Sequence, residues 1–333
     1  MKQLQILQYR GINLDKRSKR MNGFIVLIFF LVSLLIDVIL SIINEGKITI
    51  LFLLLFVVVA GGTYLWRLIL HVIYKIKSEK KSVSYEICVK GVDLLSRHNY
   101  SGAISEFDKA IAKDPNCYEA FADKGVALSK LNRHEEAISE FDKAIAIKPD
   151  HVESIYNKGF VLSKLKKYKE SIPEFDKAIA IKPKHYYAVI NKGVALSKLN
   201  RHEEAISEFD KAIAIKPKNK DAIFNKGLAL YYAKKYEDAI RVFDLTMKIN
   251  PNFSGSFYRK GTALSKLNRH EEAVSEFDKA IAITYDFPEA WYDRGLSLNR
   301  LKQHDKAKHS FGQALRLRPD NSDYKKAVDD FEK

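Results

Sequence analysis

From residue 84 onward, this 333-residue chain repeats itself every 34 residues. Gly91, Gly125, Gly159, Gly193, Gly227, Gly261 and Gly295 keep that interval, and so do Phe107, Phe141, Phe175, Phe209, Phe243, Phe277 and Phe311. The segment KGVALSKLNRHEEAISEFDKAIAIKP occupies residues 124–149 and returns unchanged at residues 192–217. An enzyme site needs unlike residues converging on one spot, whereas a repeated word makes equivalent positions on successive units. The period therefore points to a stacked array before any single residue is considered.

Within one unit the apolar spacing is helical twice over. Phe121, Gly125, Leu128 and Leu131 recur at steps of four and three, which places them on one face of a first helix. Ala137, Ile138, Phe141, Ala144 and Ile145 form the matching stripe of a second helix, and Asn132 and Arg133 fall at the turn between the two. Pro149 is expected to stop the second helix, with Pro115, Pro183, Pro217, Pro251 and Pro319 in the same role. Tyr285 replaces that proline in the sixth unit, where Pro288 is expected to substitute for it. Pro173 is expected within the first turn of its helix, where a missing N–H costs least. The repeated Gly, and Ala103, Ala137, Ala205, Ala239, Ala273 and Ala307, let paired helices approach closely; Ser171 holds that small position in the third unit. Helices this short are marginal alone, so each unit depends on burial against its neighbours. Recent duplication of a two-unit block accounts for the identical words, and the repeated letters mainly encode scaffold.

These features resemble the tetratricopeptide repeat, a 34-residue helix-turn-helix unit with a Gly, a small Ala, an aromatic residue and a terminal Pro at fixed places. The resemblance covers residues 84–321 as seven units, and residues 322–333, SDYKKAVDDFEK, resemble a capping helix. It implies an all-α superhelical solenoid whose first helices line a concave groove for a protein or extended peptide. By the same resemblance, the residues three and two places before each repeated Gly face that groove. Tyr156, Phe224, Tyr258 and Tyr292 are placed there to grip side chains, beside Asn157, Asn191, Asn225 and Arg259. The three asparagines read either as a ladder holding a peptide backbone or as a common variant of the repeat. The family's carboxylate clamp for chaperone tails is disfavoured, because Val126, Phe160, Val194, Leu228 and Leu296 follow the Gly in place of Asn.

The N-terminal part departs from this pattern. After a basic segment, residues 1–23, residues 24–43 read FIVLIFFLVSLLIDVILSII and residues 48–66 read ITILFLLLFVVVAGGTYLW. Each is long enough as a helix to cross a hydrocarbon core of about 30 Å. A signal peptide fits poorly, since the first apolar run is long and a second follows at once. The sequence thus predicts a transmembrane helical hairpin before the solenoid, joined to it by a basic juxtamembrane linker, residues 67–83, expected to continue as a helix. Lysines and arginines flank both outer ends while the short connection holds only Lys47, which predicts a two-pass integral membrane protein with both termini cytoplasmic. Asp37, inside the first run, is either an intramembrane contact or a carboxylate two turns from the boundary.

Composition narrows the function classes. Of 56 basic and 41 acidic residues, 12 and 4 lie within residues 1–81, so the array itself is only mildly basic and its Lys and Arg are not gathered in one block. That argues against nucleic acid. Cys88 and Cys117 form neither a C-x-x-C pair nor a His/Cys cluster, so no disulfide framework and no zinc site are written here. His134, His202 and His270 recur singly at helix starts, which suits packing, and no metal or cofactor is expected. No catalytic set appears, and no residues remain outside spans, repeats and cap to house one. The expectation is a non-catalytic, membrane-tethered adaptor; the alternative is a substrate-delivering subunit of a membrane-associated transferase or assembly machine. End-to-end self-stacking is opposed by the polar C-terminal helix.

Overall fold

The structure is a computed structural model that describes residues 48–331; side chains before residue 66 lie outside the description. Residues 1–23, the run at 24–43 and Asp37 therefore fall outside the described residues, and of the run at 48–66 essentially only the helical backbone is described. Among the described residues, no helix is long and apolar enough to cross a membrane. Contacts divide the chain into Met1–Glu79 and Lys80–Lys333.

All described secondary structure is helical. Helix α1, Ile48–Ser96, is followed by α2 (Tyr100–Lys113), α3 (Tyr118–Lys130), α4 (His134–Ile147), α5 (Val152–Lys164) and α6 (Tyr168–Ile181). Next come α7 (Tyr186–Lys198), α8 (His202–Ile215), α9 (Lys220–Tyr232), α10 (Tyr236–Ile249) and α11 (Ser254–Lys266). The chain ends with α12 (His270–Ile283), α13 (Pro288–Arg300), α14 (His304–Leu317) and α15 (Ser322–Asp329). Up to α14, odd-numbered helices are the first and even-numbered helices the second of each pair, the end of α1 serving as the first helix of the first pair.

The turn within each pair is one motif used seven times. His98, Asn132, Lys166, Asn200, Lys234, Asn268 and Lys302 all sit at φ of 59° to 62°. In the second unit the Asn132 N–H donates to the Ser129 carbonyl and the Arg133 N–H to the Leu128 carbonyl, a Schellman closure that satisfies the last carbonyls of the helix. The chain then turns straight into the second helix.

The two helices of a pair lock through the repeated Gly and Phe. All seven phenylalanines are at most 1% exposed. A Cβ placed on Gly193 would lie 2.7 Å from Cε1 of Phe209, so the ring rests against bare backbone and no larger residue fits without movement. The small alanines beside them are fully buried. Each first helix from α3 to α11 also touches the first helix of the next pair, whereas successive second helices make no comparable contact. First helices are thus crowded along the inner side of the array. At its end, α15 lays Tyr324 on Tyr292, with ring centroids 4.8 Å apart, and covers the last pair with Ala327 and Val328, joined by Phe331 just after it.

Two proline expectations are corrected. Helix α12 ends at Ile283, the equivalent of Ile147 and Ile215, although no proline follows two residues later. Pro288 instead opens α13. In both settings the residue after the helix closes it by donating to the carbonyl four back, Thr284 to Ala280 and Lys148 to Ala144. The proline is compatible with the stop and does not cause it. Pro173 is the sixth residue of α6, in the second turn, so it removes an intrahelical bond to Lys169. Its ring is exposed, on the solvent side of the helix.

Neighbouring pairs are joined by an ion ladder. In four units the lysine just before the repeated Gly reaches back to an aspartate on the preceding second helix and across to a buried glutamate on the second helix of its own pair. Lys192 Nζ lies 2.7 Å from Asp176 and 2.9 Å from Glu208, and Lys124, Lys158 and Lys260 repeat the arrangement. Each glutamate is held by a second lysine three residues on, Lys211 in the case of Glu208. In the fifth unit Val242 stands in place of the glutamate and Lys226 pairs with Asp210 alone. In the seventh, Arg294 meets Asp278 and the Ser310 hydroxyl.

Candidate functional site

Along the inner first helices, the side chains two places before the repeated Gly form a row: Asp123, Asn157, Asn191, Asn225, Arg259 and Asp293, all partly buried. They are not equivalent. Asn191 donates from Nδ2 to the Tyr156 hydroxyl at 3.0 Å, while the side chains of Asn157 and Asn225 bond to no protein atom among the described residues. Asp293 accepts from the Tyr258 hydroxyl at 2.8 Å. Burial raises the Asp293 pKa above the usual carboxylate range against the opposing effects of Tyr258 and Arg259. Burial, helped by Glu119, raises Asp123 to about 6.

The aromatic residues one place earlier serve mainly as inter-unit packing. Tyr156 sits 4.9 Å from the His185 ring, Phe224 4.9 Å from Phe253 and Tyr258 4.8 Å from Phe287, each half-buried. Tyr292 rests on Tyr324 and Phe311. These rings form fixed walls with little freedom to close on a ligand.

A cleft with a volume of about 360 Å³ opens on this face. It brings Asn225 of α9 together with Arg259 of α11, two of the residues expected to face the groove. The remaining expected residues line other parts of the row. Helix α7 adds Val194, Ser197 and Lys198 to the cleft, and α9 adds Leu228 and Tyr232. Asn200, Ala229, and His202 and Phe209 of α8 also line it. Two of the lining side chains, Lys198 and Arg259, are basic and none is acidic. Arg259 makes no ion pair among the described residues; its guanidinium lies 5.2 Å from the Tyr258 ring.

Ser197, Lys198 and Tyr232 were missed by sequence reasoning, which stopped at the positions before the Gly. They stand four and five places after it, on the same helical face one turn further on, and a continuation of the i, i+4, i+7 series identifies them. His134, His202 and His270 are the first residues of their helices, each with a buried, unpartnered Nδ1. That detail recurs at His134 and His270, which do not line this cleft. Among the described residues no three His, Cys, Asp or Glu side chains are placed to hold a metal ion.

Family models described as tetratricopeptide repeat match residues 88–152, 152–185, 186–219, 254–287 and 288–321. The chain belongs to the tetratricopeptide repeat proteins. Among solved structures the array is similar to the C-terminal part of a TPR repeat-containing protein from Cytophaga hutchinsonii, at 18% identity and TM-score 0.62 over 72% of this chain and 99% of that one. PilF of Pseudomonas aeruginosa gives 20% identity and TM-score 0.53 over 64% of this chain and 97% of that one. At those identities the likeness concerns the fold alone. YrrB, described as a TPR protein with an unusual peptide-binding site, is 25% identical with TM-score 0.50 over 55% of this chain and 95% of its own. No curated protein matches the sequence.

Proposed function

We propose that this chain is a non-catalytic scaffold, tethered to a membrane by the apolar runs at 24–43 and 48–66, whose array holds an extended segment of a partner protein. The observation that carries the reading is the cleft between α7, α9 and α11. Arg259 and Tyr232 break the repeat there, and they meet Asn225, which has a free amide donor and acceptor. Val194 and Leu228 offer apolar contact, and Lys198 and Arg259 favour a carboxylate beside it. YrrB's description as a peptide binder lends support. Tethering raises the local concentration of the bound segment near other membrane components.

Selection from a displayed random-peptide library by the full chain in detergent micelles tests the groove. Enrichment of peptides pairing Asp or Glu with an aliphatic residue is expected; no enrichment at all would remove the reading. The tether is tested separately. A reporter active only outside the cytoplasm, fused to the C-terminus, is expected to stay silent, and strong activity would reverse the orientation.

A further inference from the structure

The chain has two cysteines, 29 residues apart in sequence, and the fold brings them together. Cys88 lies on the part of α1 that opens the first pair, and Cys117 immediately precedes α3 in the second. Their sulfurs are 3.7 Å apart and both thiols are free. We propose that Cys117 and Cys88 form an oxidisable pair, with Cys117 as the peroxide-reactive thiol and Cys88 as its resolving partner, which covalently joins the first two repeats.

The two sulfurs are placed unequally. Cys88 is 5% exposed, enclosed with Ala110, Ala120 and Ile111, while Cys117 is partly open to solvent. A hydrogen bond from Cys88 lowers the Cys117 pKa to about 7, opposed by burial and helped by the Ala120 N–H in the first turn of α3 and by Ser84. The same bond and burial raise Cys88. Glu119, 3.7 Å from the Cys117 sulfur, limits this gain. A more acidic, more accessible thiol beside a buried one is the arrangement in which thiolate attack and resolution fall to different residues.

The oxidant is a small hydroperoxide, taken here as hydrogen peroxide. The Cys117 thiolate attacks one peroxide oxygen and the O–O bond breaks, leaving a sulfenic acid and a hydroxide that takes up a proton to become water. The Cys88 sulfur then attacks the Cys117 sulfur, the S–O bond breaks, and the departing hydroxide takes the Cys88 proton as a second water. Two thiols and one peroxide yield one disulfide and two waters. The sulfurs must close to about 2.05 Å. On a cytoplasmic face such a bond is transient and is reversed by the thiol pool.

The test uses the full chain in detergent, reduced, freed of reductant and treated with hydrogen peroxide. The expected product is a monomer lighter by two hydrogens, with a cross-linked peptide containing Cys88 and Cys117. Hydrogen exchange in residues 100–113 is expected to slow by roughly tenfold or more, since the closed loop contains them. Cys88→Ser is expected to stop at a Cys117 sulfenic acid trapped by dimedone, and Cys117→Ser to leave Cys88 unmodified. Cross-links only between chains, wild-type overoxidation without an internal disulfide, or reaction at Cys88 in the Cys117→Ser variant would each overturn the assignment.

Discussion

Replacing Phe209 by alanine is expected to destabilise the array by about 3–5 kcal/mol. The ring is 1% exposed and rests against Gly193, so nothing nearby can fill the space without moving a helix. Its surroundings are the large apolar cluster from Val152 to Ala229, which includes Phe175, Val189 and Leu196. Because each pair contacts chiefly its neighbours, the damage is expected to stay local. Urea unfolding should show a lowered midpoint, and hydrogen exchange should accelerate in α7 and α8 far more than in α13 and α14. An unchanged midpoint would mean that the Phe–Gly contact does not hold the pair together.

Replacing Lys192 by methionine is expected to cost about 2–3 kcal/mol, because it leaves the buried Glu208 with Lys211 as its one remaining cation. Lys226 supplies the control within the same molecule. Its glutamate partner is replaced by Val242 and its aspartate, Asp210, is half exposed, so Lys226→Met should cost less than about 1 kcal/mol. Equal effects at the two positions would show that the ladder contributes nothing through its buried member. The ladder also has a pH signature. Burial works against the Lys124, Lys158, Lys192 and Lys260 ammonium groups, but their carboxylate partners outweigh it and raise each pKa. A raised lysine contributes stability that is fully present below its unfolded value of about 10.4 and is lost as pH rises through the folded value. Melting temperature should therefore fall above that pH, and Lys192→Met should shrink the fall.

The fold was readable from the sequence because its decisive contacts repeat. Gly193 and Phe209 belong to one unit, and seven copies of that spacing fixed both helices and their period. The prolines misled because they coincide with helix ends that backbone capping already determines, as Thr284 shows. The ladder was present in the repeated KG and EFD letters yet invisible in function. Lys192 and Asp176 are 16 residues apart and belong to different pairs, so their meeting depends on how pairs stack. The same holds for Asn191 with Tyr156, and for Cys88 with Cys117. Periodicity reports contacts along one helix; contacts between helices need the interhelical register that only the folded array supplies. The repeated polar letters are thus largely stitching, and the chemistry of the groove lies in the residues that depart from the repeat.

The most direct test of that division is the affinity of a library-selected peptide for the wild-type chain and for Asn225→Ala/Arg259→Ala, with thermal melting followed in both. Loss of charge-assisted and amide hydrogen bonds is expected to weaken binding by about ten- to a hundredfold while melting stays unchanged. Undiminished affinity in the double variant would contradict it, showing that the cleft between α7, α9 and α11 is not where the peptide is held.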